Sequence, residues 1–188
     1  MGSLDSGRVR SLTPPAVLAA VLSALLLVGC GGSSSDKKAN EAYADGVCTA
    51  IATWKQSIQD IATDLSGGIS KASLQSKLGQ AQMATNNLAT DIKAVPAPNT
   101  DEGNAAKQQL DQLTGDIKTT VNSARSSLAQ LQDNASLATI TAALGALAPQ
   151  VQSLVNEANS AISTLKDAGG SLADAFKRTD SCKNLNPT

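Results

Sequence analysis

Apolar side chains recur at intervals of three and four along most of this chain, and no stretch sustains the alternation expected of a strand. Four stripes stand out. The first passes through Tyr43, Val47, Ile51, Trp54, Ile58, Ile61 and Leu65, and Gly67-Gly68 closes it. The second runs through Leu74, Leu78, Ala81, Thr85, Leu88, Ile92 and Val95 to the break at Pro96-Ala97-Pro98. The third uses Leu110, Leu113, Ile117, Val121, Ala124, Leu128 and Leu131. Thr100 or Asp101 is placed to cap it, with Asp101 and Glu102 near its positive end. The fourth begins behind Ser136 and continues from Ile140 through Leu144, Leu147, Val151, Leu154 and Ile162 to Leu172 and Phe176. Pro149 lies inside it, one turn after Gly145, so a kink or a split into two helices is expected there.

The faces opposite these stripes carry Asn, Gln, Ser, Thr, Lys and Asp. Four amphipathic helices with short breaks predict an all-α protein, an antiparallel up-and-down bundle of about four helices. A longer, more open coiled hairpin is the alternative. Composition agrees with helices: 41% of residues are apolar, yet the aromatic set is only Tyr43, Trp54 and Phe176. Ala and Leu favour helix, and the scarcity of aromatic and β-branched runs argues against a sheet.

Ahead of the first stripe the pattern changes. Arg8 and Arg10 precede an almost wholly apolar run from Ala16 to Val28, which ends in Leu27-Val28-Gly29-Cys30. The run falls short of the roughly 20 residues a membrane-spanning helix needs and has the order of a secretion signal. Its last four residues resemble a lipobox, the recognition site in bacterial lipoprotein precursors. That resemblance implies a signal peptide over 1–29, a diacylglyceryl group on the Cys30 thiol, and cleavage that makes Cys30 the first residue. An uncleaved signal anchor and N-myristoylation at Gly2 are the rival expectations. Two or three acyl chains on Cys30 would hold the protein stably to the membrane, where one would not. Residues 30–39 are expected to form the lipidated cysteine and a Gly/Ser tether, reaching on the order of 15 Å, with the helical domain over 40–188. The expected address is extracytoplasmic, anchored to the cell membrane. In a Gram-negative host, Gly31 differs from the aspartate signal for inner-membrane retention, which would imply the outer membrane.

The chain carries 15 basic and 16 acidic residues. Without Arg8, Arg10 and Asp5 the part from Cys30 onward holds 13 against 15, near neutrality and without a basic cluster, so nucleic acid is not an expected partner. With Cys30 assigned to lipid, Cys48 and Cys182 remain as an even pair in a compartment that permits disulfides. One lies near the start of the first stripe and the other past the end of the fourth. In an even-numbered antiparallel bundle those ends meet, so a staple is expected. A redox or metal pair is the alternative, but Cys-x-x-Cys spacing is missing and there is no histidine to complete a zinc site.

The absence of histidine also removes Ser-His-Asp and Cys-His catalysis. Ser35-Asp36-Lys37-Lys38 fits Ser-x-x-Lys but falls in the tether without its companion motifs. Asp60 and Asp64 share a helix face and read first as solvated surface, second as a carboxylate pair for a cation or proton transfer. Lys177-Arg178 suits the negative end of a helix. No catalytic residue, metal ligand or cofactor is expected. Trp54 is expected in the core; exposed beside Tyr43 it would instead mark a contact surface.

The spacing of Tyr43, Cys48 and Trp54, the late Cys182 and the Ala-rich composition resemble small lipoproteins of high-GC Gram-positive bacteria, a resemblance that implies no activity. The leading expectation is a non-enzymatic module that contacts another envelope protein or cell-wall polymer. The alternative is a protein that binds a small or apolar ligand between its helices. A cavity lined by Leu, Ile and Ala favours the alternative, and a filled interior favours the first.

Overall fold

Each predicted stripe folds as helix. In a computed structural model, residues 34–64, 70–132 and 134–185 are described, all within the unit Gly32–Thr188. Six helices follow in order: α1 Ser34–Asp64, α2 Lys71–Ala94, α3 Asp101–Ala129, α4 Leu137–Asp167, α5 Gly170–Arg178 and α6 Asp180–Leu185. No strand occurs among the described residues. The protein is an all-α helical bundle.

Local chemistry sets the starts of the long helices. Ser70 caps α2 reciprocally with Ser73: the Ser73 backbone N–H donates to Ser70 Oγ at 3.0 Å, and the Ser70 N–H donates to Ser73 Oγ at 2.9 Å. Thr100, not Asp101, caps α3 by accepting from the Gly103 N–H at 3.0 Å. Ser136 caps α4 by accepting from the Thr139 N–H at 3.2 Å. Gly103 itself lies so close to the Pro98 carbonyl that a Cβ would collide with it, which fixes how the Pro96–Pro98 corner folds onto α3.

The expected count of about four helices is corrected to six among the described residues. The helix does not divide at Pro149; α4 runs through it. Pro149 is exposed and its i−4 neighbour is Gly145, also exposed, so water can hydrate the carbonyl that loses its amide partner. The division falls at Gly169 and Gly170, whose φ angles of 80° and 75° only glycine adopts without strain. At the other end, residues 34–39 of the expected tether are the exposed first turns of α1. Residues 1–33, with Cys30 and the expected signal peptide, lie outside the described residues.

Packing proceeds largely in chain order: α1 against α2, α2 against α3, α3 against α4, with α5 and α6 laid on α1 and α5 also on α4. The buried apolar side chains form two clusters. The larger, from Tyr43 through Ile58 on α1 to Leu185 on α6, draws on all six helices. The smaller joins Leu74, Leu128 and Ile140, with Leu78, Leu131 and Leu144 packed around them. The larger cluster and the chain that carries it lie within Tyr43–Leu185, so this unit closes its own core.

A candidate apolar binding cleft

Between the two clusters the interior is open. The last turns of α1 present Ile58, Ile61 and Ala62, and α2 presents Leu74, Leu78 and Ala81 at helical spacing. Across from them stand Leu144, Leu147, Ala148 and Val151 of α4. These walls enclose a cleft of about 390 Å³, within the range of roughly 300–1,000 Å³ typical of small-molecule sites. Two polar side chains border it, Lys77 on α2 and Gln152 on α4.

The cleft exists because α4 is covered unevenly. Its C-terminal half buries Leu154, Ala158, Ala161, Ile162 and Leu165, whereas its N-terminal half buries only Ile140. Leu144 and Leu147 are half-buried, and Leu137 and Val151 are exposed. Residues 134–156 contain no charged side chain. Over its most apolar 18 residues α4 has a mean hydropathy of 1.2 with 11% of the window buried, so by length and composition this helix could cross a membrane.

One turn along α1 and α2 from cleft-lining residues lie Trp54 and Thr85. Ile58 follows Trp54 by four residues on α1, and Ala81 precedes Thr85 by four on α2. The Trp54 indole N–H donates to Thr85 Oγ1 at 3.4 Å, and both residues are buried, which satisfies the two polar groups within the core. At the rim, Lys77 Nζ donates to Asp64 Oδ2 at 2.6 Å and to Gln80 Oε1 at 3.5 Å. The Lys77 side chain, 20% exposed, lines the cleft while its ammonium pairs with the more exposed Asp64.

The residues singled out from sequence do not converge here. Tyr43 and Trp54 are 1% and 2% exposed, so they are core residues and not a contact surface. A stripe residue at helical spacing is more easily buried than shown, and both pack against neighbours: the Tyr43 and Phe176 rings meet edge to face at 6.2 Å. Burial, together with the Asp111 charge, pushes the Tyr43 hydroxyl up to about 12. Cys48 and Cys182 are disulfide-bonded, with Cα atoms 5.0 Å apart, and tie α1 to α6.

Asp60 and Asp64 are both exposed, and Asp64 serves Lys77 instead of pairing with Asp60. Ser35 and Lys38 are exposed on the first turns of α1. Arg178 ends α5 with its guanidinium 4.0 Å from Glu41. Among the described residues no three His, Cys, Asp or Glu side chains gather where they could hold a metal ion. A further depression beside α5 and α6 is bordered by Glu41, Asp45, Arg178 and Asp180, and so is charged where the cleft is apolar.

Comparison with known proteins finds no matching family, no matching curated protein and no matching solved structure. The cleft therefore stands on its own geometry.

Proposed function

We propose that this protein is a lipid-anchored, extracytoplasmic binding protein that takes a small apolar ligand between α1, α2 and α4, without catalysing a reaction. The cleft carries the proposal: ten of its twelve lining residues are Ile, Leu, Val or Ala. Apolar surface left open to water forgoes roughly 25 cal/mol per Å² that a ligand would recover. The lipobox resemblance at Leu27–Cys30 supplies the address, a membrane face outside the cytoplasm, and the four long helices are taken as an antiparallel up-and-down set. A second reading, contact with another envelope protein or cell-wall polymer, is favoured by the uncharged, exposed first half of α4.

The test uses residues 32–188, the unit that closes its own core, secreted through an oxidising compartment so that Cys48 and Cys182 can pair. Titration with diphenylhexatriene, an uncharged apolar dye, should give saturable one-site binding and a change in the emission of Trp54, the single tryptophan. Leu147→Asp, which places a charge on the wall, should abolish binding while leaving the helical circular dichroism intact. Absence of binding, or binding indifferent to Leu147→Asp, would refute the ligand reading. Retention of one envelope protein by the immobilised domain in that case would favour the second.

A further inference from the structure

We infer that the ligand is a long-chain monocarboxylate, a fatty-acid-like anion whose chain lies in the cleft and whose carboxylate is held at the mouth by Lys77. The inference rests on the apolar cleft proposed above and adds the head group. Among the residues that line the cleft, Lys77 is the single charged one. It stands where an apolar wall meets solvent, which is where an amphiphile changes from tail to head. Its position is unsymmetrical in a useful way. The Lys77 side chain is only 20% exposed, whereas its partner Asp64 is 64% exposed and lies on the solvent side.

The Asp64 contact is thus an exchangeable surface pair, of the kind that contributes little to stability. A ligand carboxylate can take the place of the Asp64 carboxylate at Lys77 Nζ, one carboxylate for another, and Asp64 returns to water. Gln152, across the mouth on α4, offers an amide N–H that now donates to Asn156 Oδ1 at 3.2 Å, also at the surface. One ammonium matches one carboxylate charge. A phosphate ester would bring more charge and more acceptor oxygens than a lone lysine satisfies, and such groups are better met by an arginine fork. A cationic head would face Lys77 directly and be repelled. The volume of about 390 Å³ is at the lower end for ligand sites, which suits one chain better than two.

The test displaces diphenylhexatriene from residues 32–188 with three probes that share a sixteen-carbon chain: hexadecanoate and hexadecyltrimethylammonium below their micelle-forming concentrations, and hexadecan-1-ol below its solubility limit. Hexadecanoate should displace the dye at about tenfold lower concentration than the alcohol, the size of one charge-assisted hydrogen bond at a partly exposed site. The ammonium should be the weakest. Lys77→Gln should bring acid and alcohol together once each is scaled to that variant's own dye affinity, and Asp64→Asn, which removes the competing carboxylate, should widen the gap. A single-chain phosphate ester that outcompetes hexadecanoate would overturn the choice of carboxylate. Equal displacement by acid and alcohol, or a preference that either variant leaves unchanged, would overturn the inference while the cleft reading survives. Failure of the dye to bind at all would remove both.

Discussion

At one end of the bundle Tyr43, Cys48, Phe176 and Cys182 are sealed from water; at the other, Leu144, Leu147 and Val151 look across a gap at Ile58 and Leu78. The first end combines a disulfide, an edge-to-face ring pair, an Asn40 amide donating to Ser171 Oγ at 2.9 Å and a Lys166 ammonium on the Cys182 carbonyl at 3.0 Å. The second has no aromatic side chain and no cross-link on its walls. Both draw on α1 and α4, joined by α5 and α6 at the first end and by α2 at the second. The difference teaches that one half holds the fold while the other half can leave apolar surface open, because the stability of the whole does not depend on closing it.

The sharpest way to break this contrast is to remove the staple. Replacing both cysteines, Cys48→Ser with Cys182→Ser, releases a loop of 134 residues and should lower stability by about 4–5 kcal/mol at most, by loop-closure entropy. Urea denaturation of the variant against the oxidised protein measures this, and a loss under about 1 kcal/mol would mean that packing alone holds that end. Next comes a paired truncation. Phe176→Ala should cost about 3–5 kcal/mol, as for a fully buried ring. Leu147→Ala, half-buried beside a space that already exists, should cost about 1 kcal/mol or less because few contacts are lost. Equal losses would erase the distinction between the two ends.

The stripes foretold most of this packing. On α3, Leu110, Leu113, Ile117, Val121, Ala124 and Leu128 are all buried, and on α1 so are Val47, Ile51, Trp54 and Ile58, as their spacing requires. The cleft was not legible in the same way. Leu144, Leu147 and Val151 continue the fourth stripe without a flaw, and periodicity states which side of a helix is apolar, not whether another helix covers it. A signal was nonetheless present: residues 134–156 lack any charge, more than one buried stripe needs. The break in the fourth stripe falls at Gly169-Gly170, not at Pro149. A proline on an exposed face costs one hydratable hydrogen bond, while two glycines at positive φ redirect the backbone outright.

Tyr43 sharpens the comparison by pH, since it belongs to the sealed end only. Its folded pKa of about 12 stands above the ordinary 10.0, so the fold favours the protonated hydroxyl. The associated stability is fully present below pH 10 and is lost as pH rises through about 12. The full loss is about 2–3 kcal/mol, from two units at 1.36 kcal/mol each. Denaturation midpoints compared at pH 9 and above pH 11 should show it, and Tyr43→Phe should remove most of that slope. A slope unchanged in Tyr43→Phe would place the titration elsewhere, and not at Lys55, whose burial-lowered pKa makes stability rise with pH instead.

The smallest effect belongs to the open end and concerns where a ligand acts. A ligand that binds only the folded protein stabilises it by RT ln(1 + [L]/Kd), about 1.4 kcal/mol at ten times Kd. That increment need not spread evenly. Amides of 137–151 lie on the half of α4 with the least buried apolar contact, and they should open by local fluctuation, whereas those of α5 and early α1 should open only with the whole fold. Hydrogen exchange should therefore be faster in 137–151 than in 43–51 without ligand. Hexadecanoate at saturation should slow the first segment by tenfold or more, because the occupied cleft supplies the missing partner for Leu144, Leu147 and Val151. Were the two segments protected to the same degree, the ligand would be acting on global stability alone, and the cleft would lose its claim to be the part of the molecule that waits to be filled.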